Sequence, residues 1–153
     1  MAATILIGID DSEESLRAVA AGLALLPTDR HVVVATVIEP FDPMLVTGTG
    51  IAGGTMSTET FEQTNREQEA EGARLVGDAL RTLGLSDAEP RVVRGTPGPA
   101  LCDLATELSA AAIVVGSRGR GGIKRAVLGS VSDHVVRHAP CPVVVTGPPA
   151  EAS

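Results

Sequence analysis

Apolar residues in this chain gather in short unbroken runs, and helical periodicity fills the intervals between them. TILIGI (4–9), HVVVATVI (31–38), PRVVRG (90–95), AAIVVG (111–116) and CPVVVT (141–146) are rich in β-branched residues without strict alternation. That pattern suits strands covered on both faces. After the first run, Asp11 or Ser12 can cap a helix, and Glu13 and Glu14 suit its positive end. Leu16, Val19, Ala20 and Leu23 recur at helical spacing, which predicts a helix to about Leu26, stopped by Pro27. Phe61, Gln68, Gly72, Leu75, Val76, Ala79, Leu80 and Leu83 predict a second helix closed by Gly84. Leu101, Leu104, Ala105 and Leu108 mark a third, and a fourth is expected from about Ser130 to His138. Between Phe41 and Thr58 the periodicity dissolves into a long Gly- and Thr-rich loop (41–58).

Strands alternating with helices predict an α/β fold, an open five-stranded parallel sheet with helices on both faces. No internal repeat is visible, so one domain is expected over residues 1–147, with 148–153 as a tail that has little reason to be ordered. In such sheets ligands sit beyond the carboxyl ends of the strands, where strand order reverses. Asp10-Asp11-Ser12, Val37-Ile38-Glu39 and the loop after Val115 fall at those ends.

Composition narrows the ligand. Phe41 and Phe61 are the only aromatic residues, so the core is built from Val, Leu, Ile and Ala, and platforms for stacking bases are missing. The net charge of −7 is uneven: Arg118, Arg120, Lys124, Arg125 and Arg137 against Asp133 give +4, which leaves −11 elsewhere. An acidic protein is a poor partner for nucleic acid or an anionic membrane, whereas one basic loop suits a small anion at a defined place. Cys102 and Cys141 fit no metal or redox spacing and are expected as reduced thiols. The N-terminus has no signal-peptide pattern and no apolar run approaches a membrane span, so a cytoplasmic location is expected.

The stretch VVGSRGRGGIKRAVLGSVSDHVV (114–136) carries the chemistry. Glycines bring bare N–H groups against a ligand and tolerate left-handed backbone. A helix beginning at Ser130 offers unpaired donors and a positive dipole end. The hydroxyls of Ser130 and Ser132 are close enough in sequence to donate to one anion. The spacing is neither that of a Walker loop, since the lysine is missing after Gly121, nor Gly-x-Gly-x-x-Gly. By spacing alone, a phosphate cradle and a solvated basic loop both remain open.

Gly116-x2-Gly119-x9-Gly129-Ser130 resembles the G-x2-G-x9-G-S/T nucleotide motif of the universal stress proteins. ILIGIDDSEES, RGTPGPALCDLA and CPVVVT resemble that family's opening strand, its segment before the third helix and its closing strand, in family order. The resemblance implies an adenine nucleotide alpha hydrolase-like, Rossmann-like three-layer sandwich that binds ATP, with Mg²⁺ held mainly by the phosphates. It implies that Asp10 contacts the ribose or adenine edge with Ile9 beside it, and that Val37 packs on adenine. Gly116, Gly119, Gly129 and Ser130 would cradle the phosphates, with Val131 and Ser132 in the same helix turn and Arg118 and Arg120 nearby. It also implies a homodimer through the last strand, Pro142 to Thr146, an edge that otherwise leaves backbone groups unpaired.

Three readings of the residues temper this. Asp10 could simply help to cap the first helix, Val37 is core on any reading, and Lys124 and Arg125 could be a solvated face. Asp11, Glu39 and Asp42 could approach the site, but no spacing assigns a base for hydrolysis, so a regulatory binding protein is expected. A slow ATP hydrolase or phosphotransfer enzyme, or a receptor for AMP or cyclic AMP, is the alternative. His134 and His138 stand at i,i+4 ligand spacing, but no carboxylate or cysteine joins them in sequence, and no metal site is assigned.

Overall fold

Five strands pair in the order β3-β2-β1-β4-β5 in a computed structural model of the chain, which describes residues 2–41, 57–117 and 128–147. The strands are β1 (Ala3–Ile9), β2 (Arg30–Ile38), β3 (Glu89–Arg94), β4 (Ala112–Gly116) and β5 (Val143–Thr146), and all four pairings are parallel. The helices are α1 (Glu13–Leu23), α2 (Thr58–Leu83), α3 (Pro97–Glu107) and α4 (Ser130–His138). This is the expected Rossmann-like architecture. The order reverses between β1 and β4, which places a crevice at their carboxyl ends. The expected loop at 41–58 and tail at 148–153 lie almost wholly outside the described residues.

Side-chain alternation builds two cores. Ile5, Ile7, Ile9, Val32, Val34 and Val114 face α1 and α2 and pack with Val19, Leu23, Val76 and Ala79. Leu6, Val33, Ala35, Ile113 and Val115 face the other way and pack with Leu101, Leu104, Ala105 and Val135 of α3 and α4. Without aromatic bulk, helices settle close to the sheet over glycine. A Cβ on Gly72 would come within 2.9 Å of Val92. One on Gly22 would collide with the Thr146 methyl, and both positions are buried.

Three boundaries differ from the sequence reading. The helix α1 ends at Leu23 rather than about Leu26. Arg30 reaches back from β2 and donates to the carbonyls of Leu26 and Pro27, and its Nη2 donates to the Leu23 carbonyl at 3.4 Å, so a side chain satisfies the last turn. The helix α2 begins at Thr58, capped by Ser57, whose hydroxyl accepts the Thr60 N–H at 3.2 Å. No residue from 58 to 71 is buried, so apolar spacing carried little signal there. Instead Arg94, at the end of β3, holds this stretch, donating to the Asn65 carbonyl at 2.8 Å and to Glu69 at 3.1 Å. β5 starts at Val143, later than the expected 141.

The two sheet edges are unlike. Ile113 N–H donates to the Pro142 carbonyl at 3.0 Å and Ser117 N–H to the Thr146 carbonyl at 2.8 Å. The strand period of two then turns the backbone groups of Val143 and Val145 outward. On β3, Gly95 N–H donates to the Ile38 carbonyl at 3.1 Å, so Pro90, Val92 and Arg94 face outward. Pro90 has no N–H to offer, and Glu89, Arg91 and Arg94 charge that strand, whereas β5 carries no charge.

Candidate functional site

β1 and β4 end side by side, with Gly8 opposite Val115. Two buried threonines brace these ends from the flanking strands. Thr36 of β2 donates its hydroxyl to the Ile9 carbonyl at 3.2 Å, and Thr146 of β5 donates to the Val115 carbonyl at 3.2 Å. A lone hydroxyl within an otherwise apolar strand was the available signal for both, and the sequence reading did not use it.

Just past β1, the Asp10 carboxylate accepts the Ser12 N–H at 2.9 Å and the Ser12 hydroxyl at 2.6 Å through one oxygen. The Ser12 hydroxyl in turn accepts the Ser15 N–H at 3.2 Å and caps α1. Asp10 therefore orients the cap without making it, and it sits half-buried at the mouth of the crevice. Ile9 is buried and faces the α1 and α2 core. Val37 is half-buried and packs on the opposite side, with the α3 and α4 cluster.

On the β4 side, Gly116 ends the strand opposite Thr146. Ser117 follows, and its carbonyl accepts the Gly129 N–H at 2.9 Å. Ser132, 2% exposed, donates its hydroxyl to the same carbonyl at 3.3 Å and to the Gly129 carbonyl at 3.0 Å. The start of α4 is thereby fastened to the end of β4. The hydroxyl of Ser132 is committed to this stem, which differs from the expectation that it shares an anion with Ser130. Ser130 is exposed at the first helical position, and Val131 is half-buried on the α3 and α4 core. Arg118, Gly119 and Arg120 lie outside the described residues, as do Lys124 and Arg125.

Gly129 is the N-cap of α4 and no side chain caps the helix. Among the described residues, the N–H groups of Ser130, Val131 and Ser132 meet no acceptor, while that of Asp133 returns to the Gly129 carbonyl at 2.9 Å. Three open donors at a helix N-terminus suit an anion. Gly129 has φ −63°, and the only glycines of positive φ among the described residues are Gly84 and Gly95. The use of glycine at 129 is thus a bare approach rather than left-handed backbone.

Among the described residues, few groups near the strand ends could serve catalysis. Asp11 and Glu39 are exposed, and Asp42 lies outside the described residues. Among the described residues no group of three or more His, Cys, Asp or Glu is placed to hold a metal ion, and no helix is long and apolar enough to cross a membrane. A separate open groove of about 440 Å³ lies between β3 and α3, lined by Arg91, Val93, Thr96, Pro99, Asp103 and Glu107. It belongs to the edge of the sheet and not to the crevice.

Comparison with known proteins places this geometry. A universal stress protein in the QAH/OAS sulfhydrylase 3′ region of Thermus aquaticus is 27% identical over 142 residues, 93% of this chain and 96% of that one. A universal stress protein solved in complex with cAMP is 29% identical and covers 97% of this chain and 99% of its own, with a TM-score of 0.61. UspA of Lactobacillus plantarum, at 18% identity, shares the fold with a TM-score of 0.71 over 94% of this chain and 97% of its own. The universal stress protein family profile matches residues 1–147, and the chain belongs to that family.

Proposed function

We propose that this universal stress protein binds an adenine nucleotide, ATP in the first place, in the crevice between β1 and β4, and acts as a nucleotide-dependent regulatory protein. The observation that carries the reading is the uncapped N-terminus of α4, tied by Gly129 and Ser132 to the carbonyl that follows β4. Phosphate oxygens would accept from the N–H groups of Ser130 to Ser132 and from the Ser130 hydroxyl, with Gly116 and Gly119 admitting them closely. Arg118 and Arg120 would add charge beside them. Asp10, already half-buried at the crevice mouth, would meet the ribose or adenine edge, with Ile9 and Val37 as its apolar surroundings. Mg²⁺ would ride on the phosphate oxygens, with water completing its shell.

The intact Gly116-x2-Gly119-x9-Gly129-Ser130 spacing supports ATP in particular. A second reading, a receptor for cyclic AMP, is favoured by one observation, the cAMP complex of a relative at 29% identity. Calorimetric titration with ATP, AMP and cyclic AMP ranks the ligands. Ser130→Asp is the informative variant, because a carboxylate at the first turn suits the helix dipole but repels phosphate. Its melting temperature should hold while ATP affinity falls about tenfold or more, the scale of one charge-assisted contact. Unchanged ATP affinity in Ser130→Asp, or no binding by the parent protein, would overturn the reading.

The protein is further proposed to pair as a homodimer through β5. The outward N–H and C=O groups of Val143 and Val145 on an uncharged strand support it, as does the contrast with the Pro90-blunted edge of β3.

A further inference from the structure

We propose that His134 and His138 form a two-nitrogen chelating site for a borderline divalent transition-metal ion such as Zn²⁺ on α4, where it borders α3. The two rings stand one helical turn apart, with centroids 4.4 Å from each other and planes inclined by 41°. His134 is held from below. Its Cβ, Cγ and Cδ2 press over Gly98 of α3, where a methyl group would come within 2.8 to 2.9 Å of them. His138 lies exposed in the last turn.

Neither ring is otherwise engaged. Among the described residues no hydrogen bond or ion pair reaches His134 or His138, whereas the third histidine, His31, meets Glu89 at 3.3 Å. The adjoining charges on α4, Asp133 and Arg137, are spent on each other at 3.1 Å. Two imidazoles held one helical turn apart offer the nitrogen donors that Zn²⁺, Ni²⁺ and Cu²⁺ prefer over hard cations. No third protein ligand joins them among the described residues, so water completes the coordination and the ion exchanges with solvent. An ion bridging residues 134 and 138 staples one turn of α4, an arrangement the unfolded chain does not hold, so binding also stabilises the fold. The site uses none of the nucleotide-binding residues proposed above.

The test is calorimetric titration of tag-free full-length protein with Zn²⁺, alongside His134→Gln, His138→Gln and His31→Gln. Glutamine keeps size and polarity, and an unchanged melting temperature without metal certifies that each variant is folded. One saturable Zn²⁺ per chain is expected, weakened about tenfold or more by either α4 substitution and unchanged by His31→Gln. Melting temperature should rise with Zn²⁺ in the parent protein and not in the double variant His134→Gln/His138→Gln. Absence of saturable binding in the parent, or equal binding by the double variant, would overturn the proposal.

Discussion

The carbonyl oxygen of Ser117 accepts the N–H of Gly129 at 2.9 Å, so the end of β4 and the start of α4 touch although residues 118–128 lie between them in sequence. Ser132 strengthens the junction by donating to the same oxygen from one turn further along. Ser132→Ala removes that donor and leaves the half-buried carbonyls of Ser117 and Gly129 with fewer partners. Urea denaturation should register a loss of about 1 kcal/mol. Ser130→Ala, at an exposed position, should leave the midpoint nearly unmoved, and equal losses in the two variants would contradict the assigned geometry.

Two glycines predict opposite outcomes for the same substitution. A Cβ at Gly98 would lie 2.8 Å from the Cβ of His134, an atom rooted in the backbone of α4 that cannot swing aside. Gly98→Ala should therefore push α3 from α4 and destabilise by roughly 1–3 kcal/mol. Gly77, in the middle of α2, meets only the Arg81 guanidinium at 3.9 Å. Gly77→Ala should raise stability by about 0.5–1 kcal/mol, because glycine costs a helix interior more entropy than alanine. Thermal unfolding of the pair decides both.

Val145→Pro addresses the edge of β5. The substitution removes an N–H that faces outward and leaves the bonds from β5 to β4 through Pro142 and Thr146 in place. Sedimentation at micromolar concentration should give a dimer for the parent protein and a folded monomer for the variant. Pairing that persisted in Val145→Pro would place the dimer contact elsewhere.

Burial pushes the thiols of Cys102 and Cys141 above the ordinary range, with Asp103 adding to the effect at Cys102. A thiol whose folded pKa exceeds its unfolded value favours the native state while neutral. That contribution is present below the unfolded pKa and is lost as pH rises through the folded one. Stability should therefore decline between about pH 8 and pH 10 by more in the parent than in Cys102→Ala/Cys141→Ala, each compared with its own value at neutral pH. Iodoacetamide should label both thiols more slowly in the native protein than in urea, and the half-buried Cys141 faster than the buried Cys102.

Strand positions and the turn-by-turn order were legible because the runs at 4–9, 31–38 and 111–116 are covered on both faces and need no knowledge of partners. Gly84 was legible as the end of α2 because its φ of +66° is a conformation that glycine alone adopts without cost. The early end of α1 was not, since Arg30 reaches it from another element. The bare first turns of α2 were equally hidden, because Arg94, far along the chain, holds them rather than a buried apolar stripe. In the candidate site, the spacing from Gly116 to Ser130 located the stem, while the inward turn of Ser132 depended on which side of α4 meets the sheet. Ser117, the residue on which that stem converges, fills an unspecified position of the motif, and its role emerged only from the fold.

Thr36 and Thr146 brace the central strands from either side, one donating its hydroxyl to the Ile9 carbonyl that ends β1 and the other to the Val115 carbonyl near the end of β4. Each bond ties a central strand end to its outer neighbour and resists their parting. A nucleotide bound in the crevice, as proposed, would rest on strand ends that these two bonds hold against sideways movement through the sheet.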